Sequence, residues 1–338
     1  MSATRSGSTQ APAAPGASGE PTTAFVVSGG ASLGALQVGM LHALYERGIV
    51  PDLLVATSVG ALNSAFVASR PQTVTTAREL GRVSRNLERE DVFPVSMSAL
   101  IGGFCGPRNH LVPDRGLRRL VGRHVEFEDL AGAAVPLHLV TFDLVAGREL
   151  LLSMGSAVEA VVAAASIPGV FPPVEIADRC LFDGGVVNNI PISHAVELGA
   201  DRIVVLPTRD PGSLPERPPQ SALDTALHGL GLLLEGRLQA DIARYSRDVE
   251  LVVLPAANRA GVQPTSFDHA DGQINEALIA PLESSRGTTA EGTCDSSRSD
   301  RPMLRLPTLT VSPERTAGHP WAENRPSLPG RHASIEVR

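Results

Sequence analysis

From residue 25 the chain alternates between short, solid apolar runs and longer stretches in which apolar residues recur every three or four positions. Phe25-Val26-Val27 is an apolar run of strand length, and the Ser28-Gly29-Gly30 that follows can turn sharply. From Leu33, apolar residues return at Leu36, Met40, Leu41 and Leu44, a spacing that predicts a helix, with Gly48 as its stop. Leu53-Leu54-Val55 reads as the next strand. After Ala56-Thr57-Ser58-Val59-Gly60, a second helix places Val59, Leu62 and Phe66 on one face.

The same alternation continues. Residues 73–90 predict an amphipathic, mostly exposed helix. Residues 91–114 are apolar but broken by Pro and Gly, and are expected to form short helical pieces that act as a flap. A short helix over 115–123 has Asp114 as its cap. Strands are expected at 136–141 and 149–152 across an Ala146-Gly147 turn, then a small-residue helix at 155–165 and two short strands at 174–176 and 180–182. A helix starting at Pro191, a buried strand at 202–206, a long helix at 222–246, a last strand at 250–254 and a helix at 267–282 complete the pattern. Strands alternating with helices predict an α/β fold whose sheet is mostly parallel and covered on both faces. In such folds sites lie at the carboxyl ends of strands. The turn at Ser28, Ser58 and Asp183 all follow expected strands. Residues 1–22 and 284–338 are rich in Ser, Pro, Gly and Thr and are expected to be disordered, leaving 23–283 as one domain.

Composition narrows the function. The 338 residues carry 29 basic and 36 acidic side chains, net −7, which disfavours a nucleic-acid partner. Every basic residue is arginine, so a phosphate-loop lysine, a Schiff-base lysine and a Ser-Lys dyad are excluded. The three cysteines, Cys105, Cys180 and Cys294, have no paired spacing. That argues against a zinc site or a disulfide framework and suits a reducing, cytoplasmic compartment. The first residues contain no apolar core of a secretory signal, and no run is long enough to span a membrane.

Three stretches carry chemistry. A serine on a strand-turn-helix is exposed at the top of a sheet and at a helix N-terminus, and such a turn needs small neighbours two positions either side. Gly60 meets that need, and Ala56 stands where the usual pattern has glycine. The turn Ser28-Gly29-Gly30-Ala31-Ser32-Leu33-Gly34 lacks the spacing of a dinucleotide fingerprint, and no acidic residue closes the second strand. Its amides at Gly29, Gly30 and Ala31 are instead candidates to hold an oxyanion. Asp183, followed by Gly184 and Gly185, ends a strand where its carboxylate can take a serine proton. A Ser58, Asp183, His194 triad follows the residue order of α/β hydrolases. It is disfavoured because Ser58 comes too early in the chain and His194 lies on the Pro191 helix, about two turns away from the loop around Asp183.

Taken together, these motifs and the text around them (GALQVGMLHAL, ATSVGALNSAF, AASIPGVFPPV, DGGVVNNIPISHAVELGAD) resemble the patatin-like phospholipases over residues 23–280. The resemblance implies a three-layer α/β/α sandwich, a lipid or fatty-acyl ester substrate and hydrolysis through a Ser58–Asp183 dyad. Gly29, Gly30 and Ala31 would be oxyanion donors, and Ser32, Gly34, Ala56, Gly60, Gly184 and Gly185 would support the motifs. It implies no metal or cofactor, and a location in the cytoplasm with transient contact with a membrane surface. Three positions depart from the family pattern: Ala31 for a third glycine, Leu33 for a cation and Ala56 for the first elbow glycine. A fold that binds without turnover, and acyl transfer to an acceptor other than water, are the alternative expectations.

Overall fold

The computed structural model describes residues 21–93, 109–210, 222–256 and 267–284. The expected terminal segments, most of the flap and the loop before the long helix lie outside these. The strands are β1 (Thr23–Val27), β2 (Leu53–Ala56), β3 (Leu137–Asp143), β4 (Arg148–Leu152), β5 (Val174–Ile176), β6 (Arg179–Asp183), β7 (Arg202–Leu206) and β8 (Glu250–Val253). The helices are α1 (Gly34–Glu46), α2 (Val59–Ala68), α3 (Val74–Asn86), the short α4 (Arg89–Val92), α5 (Arg115–His124), α6 (Ala157–Ala165), α7 (Ile192–Glu197), α8 (Ala222–Tyr245) and α9 (Ala270–Ser284).

All eight strands join one sheet along the path β5-β6-β3-β2-β1-β7-β8, with β4 on β3. From β3 through β2, β1 and β7 to β8 every pairing is parallel, while β4, β5 and β6 add antiparallel pairings. The strands of the parallel part are buried on both faces, so their sequences are solid apolar runs. Their side chains alternate between two cores. Phe25, Val27, Leu54, Ala56, Val204 and Leu206 face the layer of α1, α2, α3, α5, α6 and α9. Ala24, Val26, Leu53, Val55, Ile203 and Val205 face α7 and α8. The result is the expected three-layer α/β/α sandwich with a mostly parallel sheet.

One detail of register positions the site. Leu139 of β3 pairs with both Ala56 of β2 and Leu152 of β4. Thr141 pairs with both Leu150 of β4 and Asp183 of β6. A strand has two edges, so β4 takes one edge and β2 and β6 share the other. β2 runs parallel to β3 and β6 antiparallel, so the two strands end facing each other, opposite Leu139 and Thr141. The hairpin that delivers β6 turns through Ala177 and Asp178, both left-handed (φ 49° and 59°), as a tight two-residue hairpin turn requires.

Local differences from the sequence reading are small and have causes. Residues 73–90 split into α3, whose N-cap Thr73 accepts from the Thr76 amide, and the capping-box helix α4. Asp114 sits at the start of α5 without capping it, because its carboxylate pairs with Arg118 at 2.5 Å. Pro191 occupies the N-cap of α7 and not its first turn.

Helix α9 docks closely on α1. A Cβ added at Gly39 would stand 2.3 Å from the Ile274 carbonyl oxygen and 2.8 Å from the Ala277 Cβ. Gly39→Ala is therefore expected to destabilise the fold by about 1–3 kcal/mol through overpacking, despite the better helix propensity of alanine. Chemical denaturation checks this, and an unchanged midpoint would contradict the close contact.

Candidate active site

Ser58 stands between β2 and α2 with φ 56° and ψ −128°. That left-handed backbone is unusual for a residue with a Cβ and costs on the order of 1–3 kcal/mol, so the surroundings must hold it. Several groups do. The Ser58 amide donates to the Ala164 carbonyl at 2.8 Å, and the Thr57 amide to Val27 at 3.1 Å. Gly60 lets α2 start directly against the end of β1, where a Cβ would fall 2.3 Å from the Val27 carbonyl oxygen. Ala56 has its Cβ in the main core and pairs with Val27 and Leu139 as an ordinary strand residue. The methyl group in place of the usual glycine is thus absorbed by packing.

Asp183 ends β6, is buried, and accepts a hydrogen bond from the Gly185 amide at 2.8 Å, with the Ser58 hydroxyl beside its carboxylate. Its own amide donates to the Ser166 carbonyl at 2.9 Å. Burial pushes its pKa up to about 6, the Ser58 hydroxyl and the Gly185 amide only partly opposing that rise.

The glycine turn lies beside this pair. A Cβ at Gly29 would approach the Ser58 Cβ to 2.9 Å and the Asn189 Oδ1 to 2.4 Å, so only glycine permits the contact. The Gly29 amide is directed at the Asn189 carbonyl in a long 3.4 Å bond. The Gly30 and Ala31 amides donate to no acceptor among the described residues. They open a short 3-10 turn over Ala31–Leu33 that runs into α1, where orphan donors and the helix dipole favour negative charge. Ala31 itself is left-handed at φ 51°, a conformation in which its Cβ costs energy that a third glycine would not. Leu33, where a cation was the family expectation, is buried in the protein interior.

The turn is held by residues that the motif reading passed over. Fully buried Gln37 donates to the Ser28 carbonyl at 2.7 Å and to Leu206 at 3.2 Å, and accepts from Asn63 at 2.9 Å. Thr208, just past β7, donates its hydroxyl to the Gly29 carbonyl at 2.6 Å. Both Gln37 and Asn63 are polar residues among the apolar positions of buried helices, and that was the available signal.

His194 is not part of this arrangement. Its Nε2 lies 3.0 Å from Glu149 and its Nδ1 3.4 Å from Glu197. Glu149 also accepts from Asn188 at 2.8 Å and from Arg237 at 2.6 Å. Burial alone would raise the Glu149 pKa, but the hydrogen bonds from His194 and Asn188 and the charge of Arg237 hold it at about 2. This cluster ties α7 and α8 to the loop after Asp183, where the Asn188 carbonyl accepts from the Thr57 hydroxyl at 3.4 Å. His138 meets Ser153 at 2.7 Å, and burial with the charge of His194 keeps its pKa down at about 4. The loop around Gly169, Val170 and Phe171 is bonded through Val170 to Leu111 and Val112, and Phe171 is buried against Phe93. Among the described residues there is no group of His, Cys, Asp and Glu that could hold a metal ion, and no helix long and apolar enough to cross a membrane.

Residues 25–196 match a family model described as patatin-like phospholipase. The patatin-like phospholipase domain-containing protein 7 of Mus musculus is 29% identical over 191 residues, covering 54% of this chain and 13% of that protein. The lysophospholipase NTE1 of Mycosarcoma maydis is 26% identical over 210 residues, covering 62% of this chain and 11% of that protein. The chain thus spans a small part of the length of these relatives. Among solved structures, VipD from Legionella pneumophila aligns over 77% of this chain and 67% of that one, with 14% identity and a TM-score of 0.40.

The raised pKa of Asp183 fixes a sign for stability. Its folded pKa lies above the ordinary carboxylate value, so the folded state binds the proton more tightly than the unfolded chain. The contribution is full below about pH 4 and is lost as pH rises through 6, a difference of about 3 kcal/mol. Asp183→Asn removes this dependence, and its stability relative to the parent chain is expected to be greater at pH 8 than at pH 5. Paired denaturation curves at the two pH values check this. For the turn, Thr208→Val and Gln37→Leu are each expected to destabilise the fold by about 1–3 kcal/mol, because each leaves a buried backbone carbonyl without its donor, and denaturation curves check this.

Proposed function

From the chain's membership of the patatin-like phospholipase family, which the match over residues 25–196 shows, we propose that it is a serine acyl hydrolase of lipid esters working through Ser58 and Asp183. The observation that carries this reading is the placement of the Ser58 hydroxyl beside the buried Asp183 carboxylate. A weak base can serve a serine when proton removal accompanies attack and the new charge is held at once. The Ser58 Oγ bonds to the ester carbonyl carbon as its proton passes to Asp183. The carbonyl electron pair becomes an oxyanion facing the Gly30 and Ala31 amides, with Gly29 joining if its long bond to Asn189 gives way. Collapse breaks the bond to the alcohol, which takes the proton from Asp183. Water then repeats the sequence on the acyl-serine and releases the fatty acid.

Burial serves the chemistry in two ways. It raises Asp183 toward the working pH, where a base is strongest while still ionised, and it strengthens the attraction of the amides for the oxyanion. The start of α2 behind Ser58 adds a favourable dipole.

A fluorophosphonate probe is expected to label the parent protein and to leave Ser58→Ala unlabelled. Ester hydrolysis should fall by at least a thousandfold in both Ser58→Ala and Asp183→Asn. Because the base must be ionised, kcat/KM should rise with pH and level off above about 6, with one acid limb of unit slope. A folded parent chain that the probe never labels would sink this reading. Product analysis with added alcohols separates hydrolysis from acyl transfer.

A further inference from the structure

Helices α2, α3 and α5 do not close on one another. Each turns a stripe at helical spacing into a common groove: Val59, Leu62 and Phe66 from α2, Leu80, Val83 and Leu87 from α3, and Leu120, Val121 and His124 from α5. The groove is partly open to solvent. Ala31, Ser32 and Phe267 complete its near side. Val59, Leu62, Val83, Leu87, Leu120 and Phe267 are only half-buried, so large apolar side chains at the centre of three packed helices lack full contact.

The chemistry of the lining is selective. Among the described residues no Asp, Glu or Arg lines the groove. Asn63 spends its amide on the Gly34 carbonyl at 3.0 Å and on Gln37 at 2.9 Å. Burial, with the charges of Arg70 and Arg123, lowers the His124 pKa, so its ring is neutral at ordinary pH. A charged headgroup would find no partner here, whereas a hydrocarbon chain would complete the packing of every stripe.

The groove has a beginning and an end. It begins at Val59, next to Ser58, and at Ala31 of the glycine turn. It ends at Phe66 and His124, whose rings meet at 6.0 Å. The Arg70 guanidinium lies 3.9 Å above the Phe66 ring and bonds the Phe66 and His124 carbonyls at 3.0 and 2.9 Å, so the end wall is braced from behind. From Ser58 to Phe66 the helix rises roughly 12 Å, the length of about ten methylenes.

We propose that this groove binds the acyl chain of the substrate and that its end wall selects chains of medium length, about eight to ten carbons. The inference rests on the reading of Ser58 given above. The occupant is one linear, uncharged hydrocarbon tail entering from the Ser58 end.

The test uses p-nitrophenyl butyrate, octanoate, decanoate and palmitate on the full chain. The parent protein is expected to prefer octanoate and decanoate to palmitate by at least tenfold in kcat/KM. Leu62→Trp, which fills the groove near Ser58, should lower the decanoate-to-butyrate ratio by tenfold or more. Phe66→Leu should move the optimum to longer chains. Val145→Trp, at the exposed turn between β3 and β4, should keep the parent ratio. In parallel, decanoate should bind one-to-one to Ser58→Ala by calorimetry, and Leu62→Trp added to that variant should abolish binding. Turnover without chain-length discrimination, or discrimination that Leu62→Trp leaves intact, overturns the groove and leaves the Ser58 reading standing. Decanoate binding that Leu62→Trp abolishes, in a chain that the fluorophosphonate probe never labels, overturns the Ser58 reading and keeps the groove as a hydrocarbon site. Failure of both measurements overturns both.

Discussion

Strand β3 offers one edge to two strands, and the geometry of the site depends on that sharing. β2 ascends and stops at Ala56 opposite Leu139, while β6 descends and stops at Asp183 opposite Thr141. Two strands meeting head to head bring residues 125 positions apart in the chain, Ser58 and Asp183, side by side. A purely parallel sheet cannot do this, because all its strand ends point the same way. The antiparallel hairpin of β5 and β6 is therefore what lets a second strand terminus face the first. The turn after β1 then needs only to lie alongside, and the close contacts at Gly29 and Gly60 seat it there.

Around that junction the polar groups divide into two sets. One set, Gln37, Asn63 and Thr208, ties the glycine turn to the sheet and to α1 and α2. The other, Glu149 with His194, Asn188 and Arg237, anchors the loop after Asp183 to the opposite layer. Apart from the Asn188 Oδ1, which has no partner among the described residues, these groups are paired, and the pairing confers a defined geometry. Between the two sets Asp183 is a carboxylate buried with no cation beside it among the described residues. The absence of a pairing charge is what leaves its affinity for a proton high.

Much of this was legible in the sequence because local rules governed it. Solid apolar runs gave way to helical spacing at the right places, since the strands of the parallel part are buried on both faces. The glycine turn, the serine elbow and Asp183 each sit at a strand end, where the motif pattern put them. The sharing of β3 was not legible, because register between distant strands leaves no local signature. Nor was the role of Gln37 or Thr208, which depends on contacts 169 and 179 positions away in the chain. Asp114 read as a helix cap because its position was right, yet Arg118 one turn later competes for the same carboxylate. Ala56 read as a departure from the first elbow glycine, but it belongs to the strand and its methyl is core packing.

The buried carboxylate also bears on how such a chain drifts. Aspartate and asparagine codons differ by a single base, and asparagine at position 183 would fit the same space without a charge to bury. Above the folded pKa of about 6, that exchange relieves the protein of its least comfortable group. The shortest mutational step toward a more robust fold is therefore also a step that takes the carboxylate out of the site. A lineage under pressure only to stay folded would be expected to take it, and this chain has not.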